Sequence, residues 1–170
     1  MKRYWFITIS IIILSLVAIN GYGDNVDEKL IKKARQIHDR ALTVDTHVDT
    51  PFMFDQPGWD IGKENAPRKR GGKVDFPRMK KGGLDAIFFA VFVGQAVRTP
   101  EGNQKAKENA LGQFESIHKA IKQYPNLATL ALKAEDAAAI EKQGKRAIYI
   151  GIENGYPVGT DLSLVEKFYN

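Results

Sequence analysis

Hydrophobic residues fall at helical spacing from Asp27 to Leu42, where Leu30, Ile31, Ala34, Ile37, Ala41 and Leu42 are set among Lys, Arg and Glu. This predicts an amphipathic helix, with His38 at the edge of the apolar stripe as a boundary or surface residue. From Leu42 to Asp49 the period drops to two and β-branched residues appear, as in a strand that Pro51 stops. Residues 52–74 hold Pro57, Gly58, Pro67, Gly71 and Gly72 with little periodicity, which predicts a long loop carrying the solvated basic cluster Arg68-Lys69-Arg70. An N-capping Asp75, an early Pro77 and the pair Gly82-Gly83 predict a short helix. Leu84 to Val93 is almost continuously apolar, as in a strand covered on both faces. Helical spacing returns over 103–123 through Ala106, Ala110, Leu111, Phe114, Ile117 and Ile121, with His118 as a structural or exposed side chain. A short strand over 127–132, a helix over 134–143, a strand over 146–152 and a helix over 162–169 complete the pattern. Strands alternating with helices predict an α/β fold on a parallel sheet.

Composition narrows the class. The chain has 170 residues, 44% hydrophobic and 26% charged, an ordinary globular balance that excludes disordered and collagen-like chains. It has no cysteine, so no disulfide scaffold and no cysteine nucleophile are available. The formal charge is +5, but Lys2 and Arg3 belong to a leader; without residues 1–23 the balance is 23 basic against 20 acidic side chains. That excess of +3 is too mild for a nucleic-acid partner, whose binders concentrate basic charge in a patch or stripe. The leader has a basic start, a run of 16 uncharged residues from Tyr4 to Ile19, and Gly21 and Gly23 at a cleavage position. Sixteen residues fall short of the roughly 20 that span a bilayer. The expectation is an exported protein, periplasmic or extracellular, cut after Gly23 and left with no stable membrane span. Residues 24–170 would then be part of a single domain.

Chemistry gathers at strand ends. His47 and Asp49 are one residue apart, so on a strand both project from one face and can offer an imidazole nitrogen and a carboxylate oxygen to one divalent cation. A hydrogen-bonded His and Asp closing a strand end has the same pattern. The address raises the weight of the chemical reading, because α/β barrels place catalytic groups at the carboxyl ends of strands. Glu153 has the same address on a later strand, with Asn154-Gly155 at its exit, although a capping or solvated loop acid would look alike. Nitrogen and oxygen donors from two strand ends suit zinc or a similar ion, and one carboxylate can bridge two ions. Two such ions acidify a water and polarise a carbonyl, which favours hydrolysis of an amide or related bond. No G-x-S-x-G elbow, Walker loop or G-x-G-x-x-G after a strand offers another route.

Three segments together resemble the membrane (renal-type) dipeptidase family of zinc peptidases: Val44-Asp-Thr-His-Val-Asp-Thr-Pro51, Val74-Asp-Phe-Pro-Arg-Met-Lys-Lys-Gly-Gly83 with the strand after it, and Gly151-Ile-Glu-Asn-Gly155. The resemblance runs in order over residues 27–170. It implies a (β/α)8 TIM-like barrel of the amidohydrolase type, with two zinc ions that cleave dipeptides. It also implies that His47 and Asp49 ligate one zinc and that Glu153 bridges both, and it allows a homodimer. The family's two further histidine ligands, its substrate-gripping arginine and its proton-handling aspartate have no counterpart in these residues. Because such a barrel takes about 250 residues, the chain reads as the incomplete, amino-terminal part of an exported dipeptidase, inactive by itself. The segment after Glu153, Asn154-Gly155-Tyr156-Pro157, departs from relatives with a histidine soon after the glutamate. A non-catalytic exported binding module and another amidohydrolase-type hydrolase are the alternative readings.

Overall fold

The computed structural model describes residues 27–66 and 72–170. The leader expected over 1–23 and the basic cluster Arg68-Lys69-Arg70 lie outside them. Two compact units meet at Asp39 and Arg40 in sequence. In the first, α1 (Glu28–His38) starts at Asp27, whose side chain accepts the Lys29 N–H at 2.9 Å. It ends four residues before the apolar pattern does, and its Leu30, Ile31 and Ile37 stay exposed.

The second unit carries β1 (Val44–Val48), a 3-10 turn (Thr50–Met53), α2 (Phe76–Gly82), β2 (Ala86–Val91), α3 (Pro100–Gln123), β3 (Ala128–Leu130), α4 (Asp136–Glu141), β4 (Arg146–Ile152) and α5 (Ser163–Tyr169). Local chemistry sets the boundaries. Asp75 is wholly buried, and its carboxylate accepts the N–H groups of Arg78 (2.9 Å) and Asn65 (3.0 Å) and the Arg78 Nε (2.7 Å), which starts α2 and ties the preceding loop to it. Gly83 ends α2 at φ 72°, a left-handed turn that costs glycine little. Helix α3 begins earlier than its apolar spacing suggests, because Thr99 caps the Gly102 N–H at 3.1 Å and Pro100 fills the first turn.

All four strands are parallel, in the order β1-β2-β4-β3. Sequence neighbours usually pair, yet β4 rather than β3 lies beside β2. Six residues of β2, Ala86 to Val91, pair with Ala147 to Ile152, whereas β3 offers three and sits on the far edge of β4. The longer apolar ladder buries more surface. On one face Ile87, Phe89, Val91 and Ile148 pack against Ala106, Ala110, Ile117 and Ile121 of α3. On the other, Ala86 and Ala147 pack with Ala137 and Ile140, and Phe88 stacks on Tyr149 at 4.6 Å.

The strand starts are fastened by a polar lock. Arg146 Nη1 donates to Asp85 Oδ1 at 2.8 Å, while the Thr43 N–H and hydroxyl both donate to Asp85 Oδ2 at 3.0 Å. One buried aspartate thus joins β4 and β2 to the residue before β1. At the other end, among the described residues, β4 residues 149–152 have a strand neighbour on one side only. An apolar groove of about 420 Å³, lined by Phe88, Leu130, Leu132, Tyr149, Ile150 and Phe168 among others, opens along that edge. Among the described residues no helix is long and apolar enough to cross a membrane.

Candidate metal centre

The strand β1 does not alternate evenly. Asp45 pairs with Ile87 but Val48 pairs with Phe89, so β1 spends one more residue than β2 over this stretch, as at a β-bulge. The shift turns Val48 into the apolar core and sends His47 to the opposite face. The His47 N–H at this irregularity donates to Asp45 Oδ1 at 3.0 Å. Asp49 follows at the entrance of the 3-10 turn, with Pro51 in its first turn.

Glu153 enters from β4, where its N–H extends the ladder to Val91 O at 3.1 Å. It shares the face of Ala147, Tyr149 and Gly151, which is the face of His47. Because β2 lies between, β1 and β4 stand about 10 Å apart. Between them this face carries Ala90 and Gly151, and no atom beyond the chain neighbours lies within 4 Å of where a Cβ on Gly151 would sit. Across this small-residue floor His47 Nε2 comes to 3.3 Å from Asp49 Oδ1 and 3.5 Å from Glu153 Oε2.

The three donor atoms lie within 4.8 Å of one another. Two carboxylates crowd one imidazole here, and among the described residues their recorded ion pairs are both to His47. A divalent cation would relieve that crowding. Ligand bonds of about 2.0–2.1 Å around a tetrahedral ion place donors about 3.3–3.4 Å apart, close to the two separations that His47 makes. The side chains are 52%, 60% and 38% exposed for His47, Asp49 and Glu153, so the open side leaves room for water and a substrate. The residues fit the metal.

The sequence brought these three residues forward and the structure brings them together. His118 lies within α3 beside the apolar groove, and His38 closes α1; neither belongs to the cluster. Sequence reasoning missed the rim that holds Glu153. Asn154 Nδ2 donates to Val93 O at 3.1 Å while its Oδ1 accepts the Tyr156 N–H at 3.0 Å. The Tyr156 hydroxyl donates to Val97 O at 3.0 Å, and the Gln113 amide on α3 accepts the Phe92 N–H (3.1 Å) and donates to Phe92 O (2.6 Å). A lone Asn-Gly pair reads as a turn, so nothing in the sequence flagged these contacts.

Residues 31–170 match the sequence profile of the family described as Membrane dipeptidase (Peptidase family M19). The chain belongs to that family of metallo-dipeptidases. This M19 chain is 26% identical over 146 residues to Dipeptidase ataJ of Aspergillus terreus, covering 81% of this chain and 35% of that protein. The crystal structure of the probable dipeptidase PvdM from Pseudomonas aeruginosa superposes with a TM-score of 0.68 at 25% identity, covering 84% of this chain and 35% of that one. A metallo peptidase from Rhodobacter sphaeroides, solved with a phosphinate mimic of the dipeptide L-Ala-D-Ala, superposes at 0.62 with 18% identity over 75% of this chain and 42% of that one, a likeness of fold. The M19 chain thus spans 35% of the length of the first of these relatives. Its α/β fold with a parallel sheet corresponds to part of a TIM-like barrel, and membership in a metallopeptidase family implies a metal.

Proposed function

We propose that this chain supplies the first three metal ligands of an exported, zinc-dependent dipeptidase. The observation that carries the reading is the convergence of His47, Asp49 and Glu153 within 4.8 Å at the carboxyl ends of β1 and β4. When bound, a pair of zinc ions would acidify a water and polarise the scissile carbonyl. His47 Nε2 and Asp49 would hold one ion, and Glu153, with two oxygens, would reach both. The exposed side of the cluster is where a dipeptide would enter. The small floor of Ala90 and Gly151 would leave room for its backbone. The phosphinate dipeptide mimic of the Rhodobacter relative is consistent with that substrate class. Export rests on the leader read in residues 1–23, with residues 24–170 forming the amino-terminal part of one barrel domain.

With three ligands and no group identified to grip a substrate carboxylate, residues 1–170 by themselves are expected to bind zinc weakly and to turn over no dipeptide. Zinc titration of the full chain by calorimetry tests the centre. Wild type should bind, and His47→Ala, Asp49→Ala and Glu153→Ala should each weaken binding at least ten-fold. Wild-type affinity in all three variants would refute the assignment, and dipeptide hydrolysis by this chain alone would refute the expected inactivity.

A further inference from the structure

We propose that Asn154 is a positioning residue that aims Glu153 at the metal, an inference that rests on the metal-centre reading above. Among the described residues the Glu153 carboxylate has one polar partner, His47 at 3.5 Å, so its own contacts hold it loosely. Its direction is set by its backbone. That backbone is tied on both sides of the Cα. The Glu153 N–H donates to Val91 O at 3.1 Å, and the next side chain, Asn154, donates from Nδ2 to Val93 O at 3.1 Å. Two consecutive residues of the β4 exit therefore grip alternate carbonyls of the β2 exit.

The anchor is itself immobilised. Gln113 bonds both the N–H and the carbonyl of Phe92, between the two gripped carbonyls, and Tyr156 bonds Val97 further along. Helix α3 also presses close there, since a Cβ on Gly102 would collide with Val97 O. The chemistry at position 154 is specific to an amide. Val93 O requires a donor and the Tyr156 N–H an acceptor, and asparagine supplies both at 3.1 and 3.0 Å. Aspartate would set an oxygen against the Val93 carbonyl, and alanine or glycine would leave both half-buried groups without their partner.

Cobalt(II), a visible probe for a zinc site, tests this when titrated into the full chain from micromolar to millimolar concentration. The absorption is followed together with thermal unfolding of the metal-free protein. Asn154→Ala and Asn154→Asp should each weaken cobalt binding about ten-fold, the scale of outer-shell losses at metal sites. The loss should vanish in a Glu153→Ala background that keeps His47 and Asp49, because nothing is left to aim. Unchanged affinity in both variants overturns the proposal, as does an equal loss with Glu153 absent, which marks general damage. If Asn154→Ala fails to fold, the nearly isosteric Asn154→Asp carries the test, and unchanged affinity there overturns the proposal. Absence of cobalt binding by wild type would bring down the metal-centre reading and this inference with it. Binding by wild type that both Asn154 variants keep would bring down this inference alone.

Discussion

Individual side chains in this chain act mainly by what they hold in place. The Tyr124 hydroxyl donates to Asp60 Oδ1, joining the end of α3 to the loop before α2. The hydrogen bond to Asp60, with burial and the Asp60 charge behind it, raises the Tyr124 phenol to about 12. Burial alone would raise the Asp60 carboxyl, but hydrogen bonds from Tyr124, Lys63 and the Gly62 N–H, with the Lys63 charge, outweigh it and hold it below the ordinary 3.8. The Tyr124 phenol is raised on folding, so its contribution is complete below pH 10, the ordinary phenol value, and fades as pH rises through about 12. Asp60 is depressed on folding, so its contribution is complete above the ordinary carboxylate range and fades as pH falls below it. An ultraviolet phenolate titration should show a late step near pH 12, and Tyr124→Phe should remove it. A titration curve unchanged by Tyr124→Phe would refute it.

Elements are placed by a few polar contacts at their ends. Asp85 sits 9% exposed and Arg146 7% exposed where β2 and β4 start. Asp85→Ala should cost about 3–5 kcal/mol, because it strands a buried guanidinium, whereas an apolar pair of matching shape at both positions should cost far less. Urea unfolding of the single and double variants would separate the two cases; equal losses would mean that the ion pair itself is strongly stabilising. At the opposite end, the irregularity in β1 decides which way His47 points, and Asp45 takes the His47 N–H. Asp45→Ala should therefore weaken cobalt binding several-fold while Asp45→Asn, which keeps an acceptor oxygen, should not; the same titration reads both. Equal affinities for Asp45→Ala and wild type would show that the irregularity holds without its acceptor.

On the scale of the whole molecule, ion binding should report on folding. A ligand that binds only the folded chain raises its unfolding temperature with concentration, so zinc should shift the midpoint upward in wild type and not in a His47→Ala/Glu153→Ala double variant, as read by circular dichroism. The element order, the caps at Asp75 and Gly83, the parallel sheet and the three candidate ligands can all be read along the chain. Helical and strand periods, capping chemistry and strand-end position are local signals, which is why they were legible. The earlier start of α3 was signalled too, by Thr99-Pro100, but the apolar spacing drew the boundary inward. Only tertiary structure decided that β4 sits beside β2, since that depends on which ladder buries more. The same holds for the extra residue in β1, whose cause lies in its pairing partner. It holds as well for the grip of Asn154 on Val93 and for the join of Asp85 with Arg146, because residues 61 apart in sequence meet through the sheet and no one-dimensional pattern records the meeting.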